Sequence, residues 1–221
     1  MFSATCTKRG TGITIWGDED DFRFLYDLVH KLAGDGEWTD DAKGGRTRIL
    51  HSIAYEVRHA HQETRLMRPV EIASGVHVTE FGFNYSWIDL LFTLACLRFN
   101  AAYTATDEEE QTCLSRLEFW TKKALHEYDG KGAQHIETFI GPHALNVNHE
   151  WVWHFNQQIQ MDYLEMNANK TRFRNIPYLL NQTEKWGPTY NNLNGKIART
   201  AQELGCGIFE IDYTGFKDVK W

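Results

Sequence analysis

The sequence predicts an α+β fold, mostly helical, in which helices and a small antiparallel sheet pack around one central buried helix at about 86–103. Three observations carry this. The stretch SWIDLLFTLACLRFNAAY is the most apolar run in the chain. At helical spacing it shows two apolar stripes, one of Trp87, Leu90, Leu91, Leu94, Leu97 and Ala101, the other of Ile88, Phe92, Ala95, Phe99 and Ala102. A helix apolar on two sides is enclosed by its neighbours. Around it stand short β-branched segments split by turn residues, and several further segments with the helical period.

In chain order, residues 2–6 and 12–16 flank Lys8-Arg9-Gly10 and read as a hairpin. Asp18 is the N-cap expected for the first helix, with Asp21 at its third position. That helix buries Phe22, Leu25, Leu28, Val29 and Leu32 and stops at Gly34. Residues 35–45 form a polar loop without EF-hand spacing. Lys43-Gly44-Gly45-Arg46-Thr47 before the next helix is a weak anion-binding signal on backbone N–H groups, and is not a Walker A loop. The second helix, 46–62, buries Ile49, Leu50, Ile53, Ala54, Val57 and Ala60. Residues 70–72 and 76–83 read as a second hairpin. Ser86 and Asp89 have the spacing of a capping box at the start of the central helix, so Asp89 is read as structural. Thr106 and Glu109 repeat the box for the next helix. A short helix at 134–140, a long one from Asn148 to about Met166, another over 176–186 and a last one ending at Gly205 follow. Residues 207–213 alternate as a C-terminal strand that would join the sheet.

A chain of 221 residues with 42% hydrophobic and 24% charged residues is expected to form one globular domain over 1–221. A net charge of -7 argues against a general nucleic-acid sheath and leaves only a local basic face for such a role. Cys6, Cys96, Cys113 and Cys206 form no C-x-x-C pair, which favours thiols over a disulfide framework. No charged-then-apolar leader and no long uncharged apolar run appears, so a cytoplasmic protein with no membrane partner is expected.

Gly12-Ile13-Thr14-Ile15 with Gly17-Asp18, then Tyr55-Glu56-Val57-Arg58-His59-Ala60, then the strand into Trp87 with an acidic residue two places on, resembles an uncharacterised bacterial domain family over roughly residues 1–127. The resemblance implies a shared fold and a prokaryotic-type cytosolic protein. It transfers no catalytic residue.

Two constellations could carry chemistry. On the second helix, His51, Tyr55, Arg58 and Gln62 share a face, with His61 at its boundary. A neutral imidazole can take a proton, and an Arg can hold a developing oxyanion. Arg46 and His51 have an Arg-x4-His spacing that resembles the catalytic motif of the HEPN ribonucleases, although nothing else in the chain matches that family. The plain alternative is a polar helix face with a hydrogen-bonded His. The second constellation is His-rich: His126, His135, His143, His149, Glu150 and His154. Glu150 and His154 are four apart and would share a helix face. With His135 or His143 folded back they would bind a divalent metal, Zn²⁺, Mn²⁺ or Fe²⁺. The motif is HExxxH, not the HExxH of zinc peptidases. Surface and capping roles explain the same residues. Lys170, Arg172, Arg174, Lys185, Lys196 and Arg199, interleaved with Phe173, Tyr178, Trp186 and Tyr190, could track a nucleic-acid strand or simply form solvated faces.

No Gly-x-Ser-x-Gly and no G-x-G-x-x-G occurs, so no nucleotide cofactor is implied. Strong packing signals beside weak chemical ones point first to a binding or interaction module whose partner is another protein or a small ligand. The alternative is a hydrolase, of phosphoesterase or nuclease type, using the His/Glu metal site or the His51/Arg58 face.

Overall fold

The computed structural model describes residues 2–34, 39, 41–142, 144–185, 187, 189–213 and 219–221. Four strands, β1 (Ser3–Cys6), β2 (Gly12–Gly17), β3 (Leu66–Ala73) and β4 (Val76–Ser86), form one antiparallel sheet in the order β1-β2-β4-β3. The register pairs Ile15 with Ala4 on one side and Phe83 on the other, and Ile13 with Tyr85. Directly paired residues point to the same face. Ala4, Ile13, Ile15, Phe83 and Tyr85 therefore line one buried face. The opposite face carries Trp16, with the Arg68 guanidinium stacked 4.2 Å over its ring and paired to Glu80 at 2.6 Å. The second hairpin begins earlier than its sequence suggests. Pro69 sits inside β3, which is tolerated because β3 is an edge strand.

The helices are α1 (Glu19–Ala33), α2 (Ala42–His61), α3 (Trp87–Ala101), α4 (Glu108–Ile136), α5 (Val152–Glu165), α6 (Lys170–Arg174), α7 (Ile176–Leu180) and α8 (Tyr190–Leu204). Asp18 and Asp21 form the expected capping box on α1. On α4 the box belongs to Asp107 and Glu110, one residue beyond Thr106 and Glu109. This helix runs on through a non-helical Asp129 and absorbs the first residues of the separate helix expected at 134–140. Only Glu137–Phe139 remain, as a single 3-10 turn. α2 starts one turn earlier than expected, because the Asp41 carboxylate caps the Gly44 N–H at 2.8 Å.

α3 is the centre. From Trp87 to Leu97 every residue except Asp89 is buried. It touches α1, α2, α4, α5, β2 and β4. At its far end Arg98 makes a two-pronged pair with Glu118 of α4, at 2.7 and 2.8 Å.

The C-terminal strand is a correction. Residues 207–213 hold a 3-10 turn, Ile208–Glu210, and no strand. The Glu210 carboxylate accepts from the Gly207 N–H at 2.7 Å, which closes the turn. Of the expected alternation only Ile211 is buried. The tail still reaches the first hairpin, through Thr11 Oγ1 donating to the Lys220 carbonyl at 2.7 Å. The helix expected from Asn148 starts at Val152, and the helix expected over 176–186 ends at Leu180 before a 3-10 turn. Cys96 and Cys113 are buried free thiols.

Leu94 is 2% exposed on α3. Leu94→Ala is expected to cost about 2–5 kcal/mol through lost burial and the cavity left behind. Urea unfolding checks this, and a loss under about 1 kcal/mol would contradict a close-packed α3.

Candidate functional site

The face expected on α2 is partly assembled. His51, Tyr55 and Arg58 line a shallow hollow of about 180 Å³ together with Tyr26 and His30 of α1. The His30 and His51 rings stand 5.5 Å apart, and Tyr26 packs on His30 at 4.3 Å. Burial, and then the neighbouring His30, hold His51 below the ordinary histidine range. The hollow thus offers a neutral imidazole near a guanidinium. His61 does not line it, and Gln62 is the cap residue beyond the helix. Arg46 lines a different pocket, since five residues along a helix turn two side chains well apart.

The described members of the expected metal set, Glu150, His154 and His135, are not grouped. Glu150 lies in the turn before α5 and is exposed, so helical spacing does not link it to His154. His154 is 1% exposed, with Nδ1 3.2 Å from the Tyr213 hydroxyl and its ring against Phe209. His135 is exposed at the end of α4, and His143 lies outside the described residues. Among the described residues no three His, Cys, Asp or Glu side chains are grouped to hold a metal ion. His149 packs on Phe155 at 4.6 Å, and burial, then Lys185, push its imidazole down to about 4. The basic scatter is largely spent inside the molecule. Arg172 is buried and donates to Thr11 Oγ1 at 2.8 Å, Arg174 pairs with Asp129 at 2.6 Å, and Lys196 pairs with Asp162. Trp186 lies outside the described residues.

A different site forms where β4 becomes α3. Ser86 is both the last residue of β4 and the N-cap of α3, its Oγ accepting from the Asp89 N–H at 3.0 Å. Asn84, Tyr85, Ser86 and Asp89 therefore face one pocket of about 230 Å³. α2 adds Ser52 and Glu56, and α5 adds Trp153, Gln157 and Gln160 at helical spacing. Val219 and Trp221 close it.

The pocket's polar groups form one network. Asn156 Nδ2 donates to Asp89 Oδ1 at 3.2 Å, and Gln157 Nε2 donates to Asn156 Oδ1 at 2.8 Å. The Ser86 hydroxyl stands 2.9 Å from Asp89 Oδ2 and 2.8 Å from Gln160 Oε1. One hydroxyl proton cannot serve both acceptors. A protonated Asp89 would complete the chain from Asp89 through Ser86 to Gln160. Burial raises the Asp89 carboxyl to about 6, against the lowering pull of Ser86 and Asn156. Glu56 is matched by Arg65 at 2.7 Å, whereas Asp89 has no cationic partner among the described residues. Sequence reasoning reached Asp89 as a helix-start residue and as the acidic position of the family motif, not as a member of a site. The signal it passed over is Asn156-Gln157-Gln158-x-Gln160, amides set among the core positions Phe155, Ile159 and Tyr163.

Fold and pocket together define an α+β protein with a small polar recess at a strand-to-helix junction. The chain belongs to the family described as Domain of unknown function (DUF6904), which matches residues 2–221. The match spans almost the whole chain, beyond the N-terminal part whose motifs suggested an uncharacterised family. No curated protein and no solved structure matches the chain. No helix among the described residues is long and apolar enough to cross a membrane.

The raised Asp89 carboxyl has a testable sign. Folded Asp89 titrates at about 6, and an unfolded aspartate at about 3.9. Between those values the folded chain keeps a proton that the unfolded chain has lost, so this group's contribution to stability falls as pH rises through the window. Asp89→Asn is expected to gain stability relative to wild type between pH 4 and 7.5, measured by urea unfolding across that range. A difference between the two proteins that stays constant with pH would refute the raised carboxyl.

Proposed function

We propose that the protein is a binding module for a small, positively charged ligand, an amine or a guanidinium, taken into the Asp89 pocket. The observation that carries this is Asp89 itself: a carboxyl raised to about 6 by burial, facing a recess whose described lining includes no Lys, Arg or His. A cation entering the recess supplies the opposite charge that the protein leaves out. Trp153 and Trp221 are part of its lining, and an aromatic ring beside a cation favours it further. Asn84, Gln157 and Gln160 offer amide acceptors for its N–H groups. The volume, about 230 Å³, lies below the ~300–1,000 Å³ of drug-sized sites, so the ligand is small or only one end of it enters.

Calorimetric titration with n-butylamine, n-butylguanidine and the neutral n-butanol tests the reading. Saturable binding of a cation and none of the alcohol is expected. Binding should weaken about tenfold from pH 7.5 to pH 5, where a group titrating near 6 is mostly protonated. Asp89→Asn should weaken it by a similar factor. Equal binding of the alcohol, or an unchanged affinity in Asp89→Asn, would count against the proposal.

A further inference from the structure

The Lys43-Gly44-Gly45-Arg46-Thr47 segment does not hold an anion on its backbone. The Asp41 carboxylate already caps Gly44, and a Cβ on Gly44 would collide with the Thr39 carbonyl. A Cβ on Gly45 would lie 2.6 Å from Val152 Cγ1 of α5. Both glycines thus permit close packing. The side chains of the same turn, however, come together elsewhere. Lys43 and Arg46, three apart on one helix, line a second pocket of about 530 Å³ with Lys31, Phe99, Tyr103 and Thr104. Its described lining includes no carboxylate, in a chain whose net charge is -7.

Arg46 is the unusual member. It is 8% exposed, yet no Asp or Glu forms a close ion pair with it among the described residues, the Asp41 carboxylate attracting it only from further off. Its guanidinium lies 4.3 Å over the Phe99 ring. Nε donates to Asn100 Oδ1 at 2.9 Å, and Nη1 donates to the Val147 carbonyl and to Asn148 Oδ1, both at 3.2 Å. A guanidinium has five N–H donors. Three are engaged by neutral oxygens, and the two on Nη2 have no protein acceptor among the described residues. Lys31 is neutralised by Glu110 at 2.7 Å, which leaves Lys43 and Arg46 as the lining cations without a close ion-pair partner among the described residues.

We propose that this pocket binds a phosphoryl group of a small phosphate-bearing ligand, held by Arg46 Nη2 and Lys43 Nζ with the Tyr103 and Thr104 hydroxyls in reach of the same space. A planar carboxylate is best taken by two parallel N–H groups on neighbouring nitrogens. Each such fork of a guanidinium pairs Nη2 with Nε or with Nη1, and both of those are occupied here, so neither fork is open. The remaining donors come from separate residues and directions, which suits a tetrahedral anion with several acceptor oxygens. Beyond the phosphoryl group the volume leaves room for an organic portion.

Titration calorimetry of the full chain with inorganic phosphate and with pyrophosphate, at low salt near pH 7.5, tests the proposal. One-site saturable binding that weakens as salt is added is expected, with acetate at matched ionic strength giving none. Lys43 is exposed, so Lys43→Glu should fold normally and weaken binding at least about tenfold. Arg46→Lys keeps the charge but loses Nη2 and should weaken binding by a similar factor. If that variant melts early, Lys43→Glu decides alone. No saturable binding of either phosphate, acetate binding as well as phosphate, or wild-type affinity in Lys43→Glu would overturn the assignment.

Discussion

At Ser86 the extended backbone of β4 passes into the first turn of α3 with no residue between them. That junction constrains the rest of the molecule. It fixes α3 directly against the sheet, so the helix that follows has to be buried from its first residue, Trp87, onward. α1, α2, α4 and α5 then close around α3, because ten buried side chains facing in all directions leave no side for water. The hydroxyl that caps the helix is also a member of the polar network at its N-terminus. The core and the recess at its edge therefore share one residue.

α5 shows what this arrangement demands of polar groups. His154, Asn156, Gln157, Gln158 and Gln160 are all at least nine-tenths buried. A buried amide or imidazole is costly unless it is hydrogen-bonded. Each of these five has a partner: Tyr213, Asp89, Asn156, Asp162 and Ser86 respectively. Such pairings favour one seating of α5 over shifted ones, since a slipped helix would leave several buried groups unpaired. They also hold the amide side chains that line the Asp89 recess in place.

The two pockets differ in sign. One presents Asp89 without a described cationic partner, and the other presents Lys43 and Arg46 without a carboxylate in its described lining. Several other buried or half-buried charges are matched, as in Arg98 with Glu118, Lys31 with Glu110 and Asp129 with Arg174, whereas buried Arg172 rests on neutral groups, Thr11 Oγ1 and the Tyr163 ring.

Features decided by neighbours a few residues away were legible in the chain. The capping of α1 by Asp18, the start of α3 at Ser86, the stop at Gly205 and the burial of Leu90, Leu91 and Leu94 depend on local hydrogen bonds and on a periodicity that any helix must obey. The first hairpin and the second were legible for the same reason, though not the extent of the second. The fate of residues 207–213 was not, because alternation only permits a strand, and here a Glu210 side chain closes a turn on Gly207 instead. Nor was the separation of Glu150 from His154, which rests on α5 starting after Trp151. The Asp89 recess draws on α2, β4, α3, α5 and residues 219–221, and the Arg46 pocket on the ends of α1, α2 and α3. The sequence by itself determined the principal helices and the buried faces of α1, α2 and α3. Which polar side chains meet was decided only by the tertiary structure, since that depends on how distant elements are rotated and spaced against one another, and a local pattern carries no information about either.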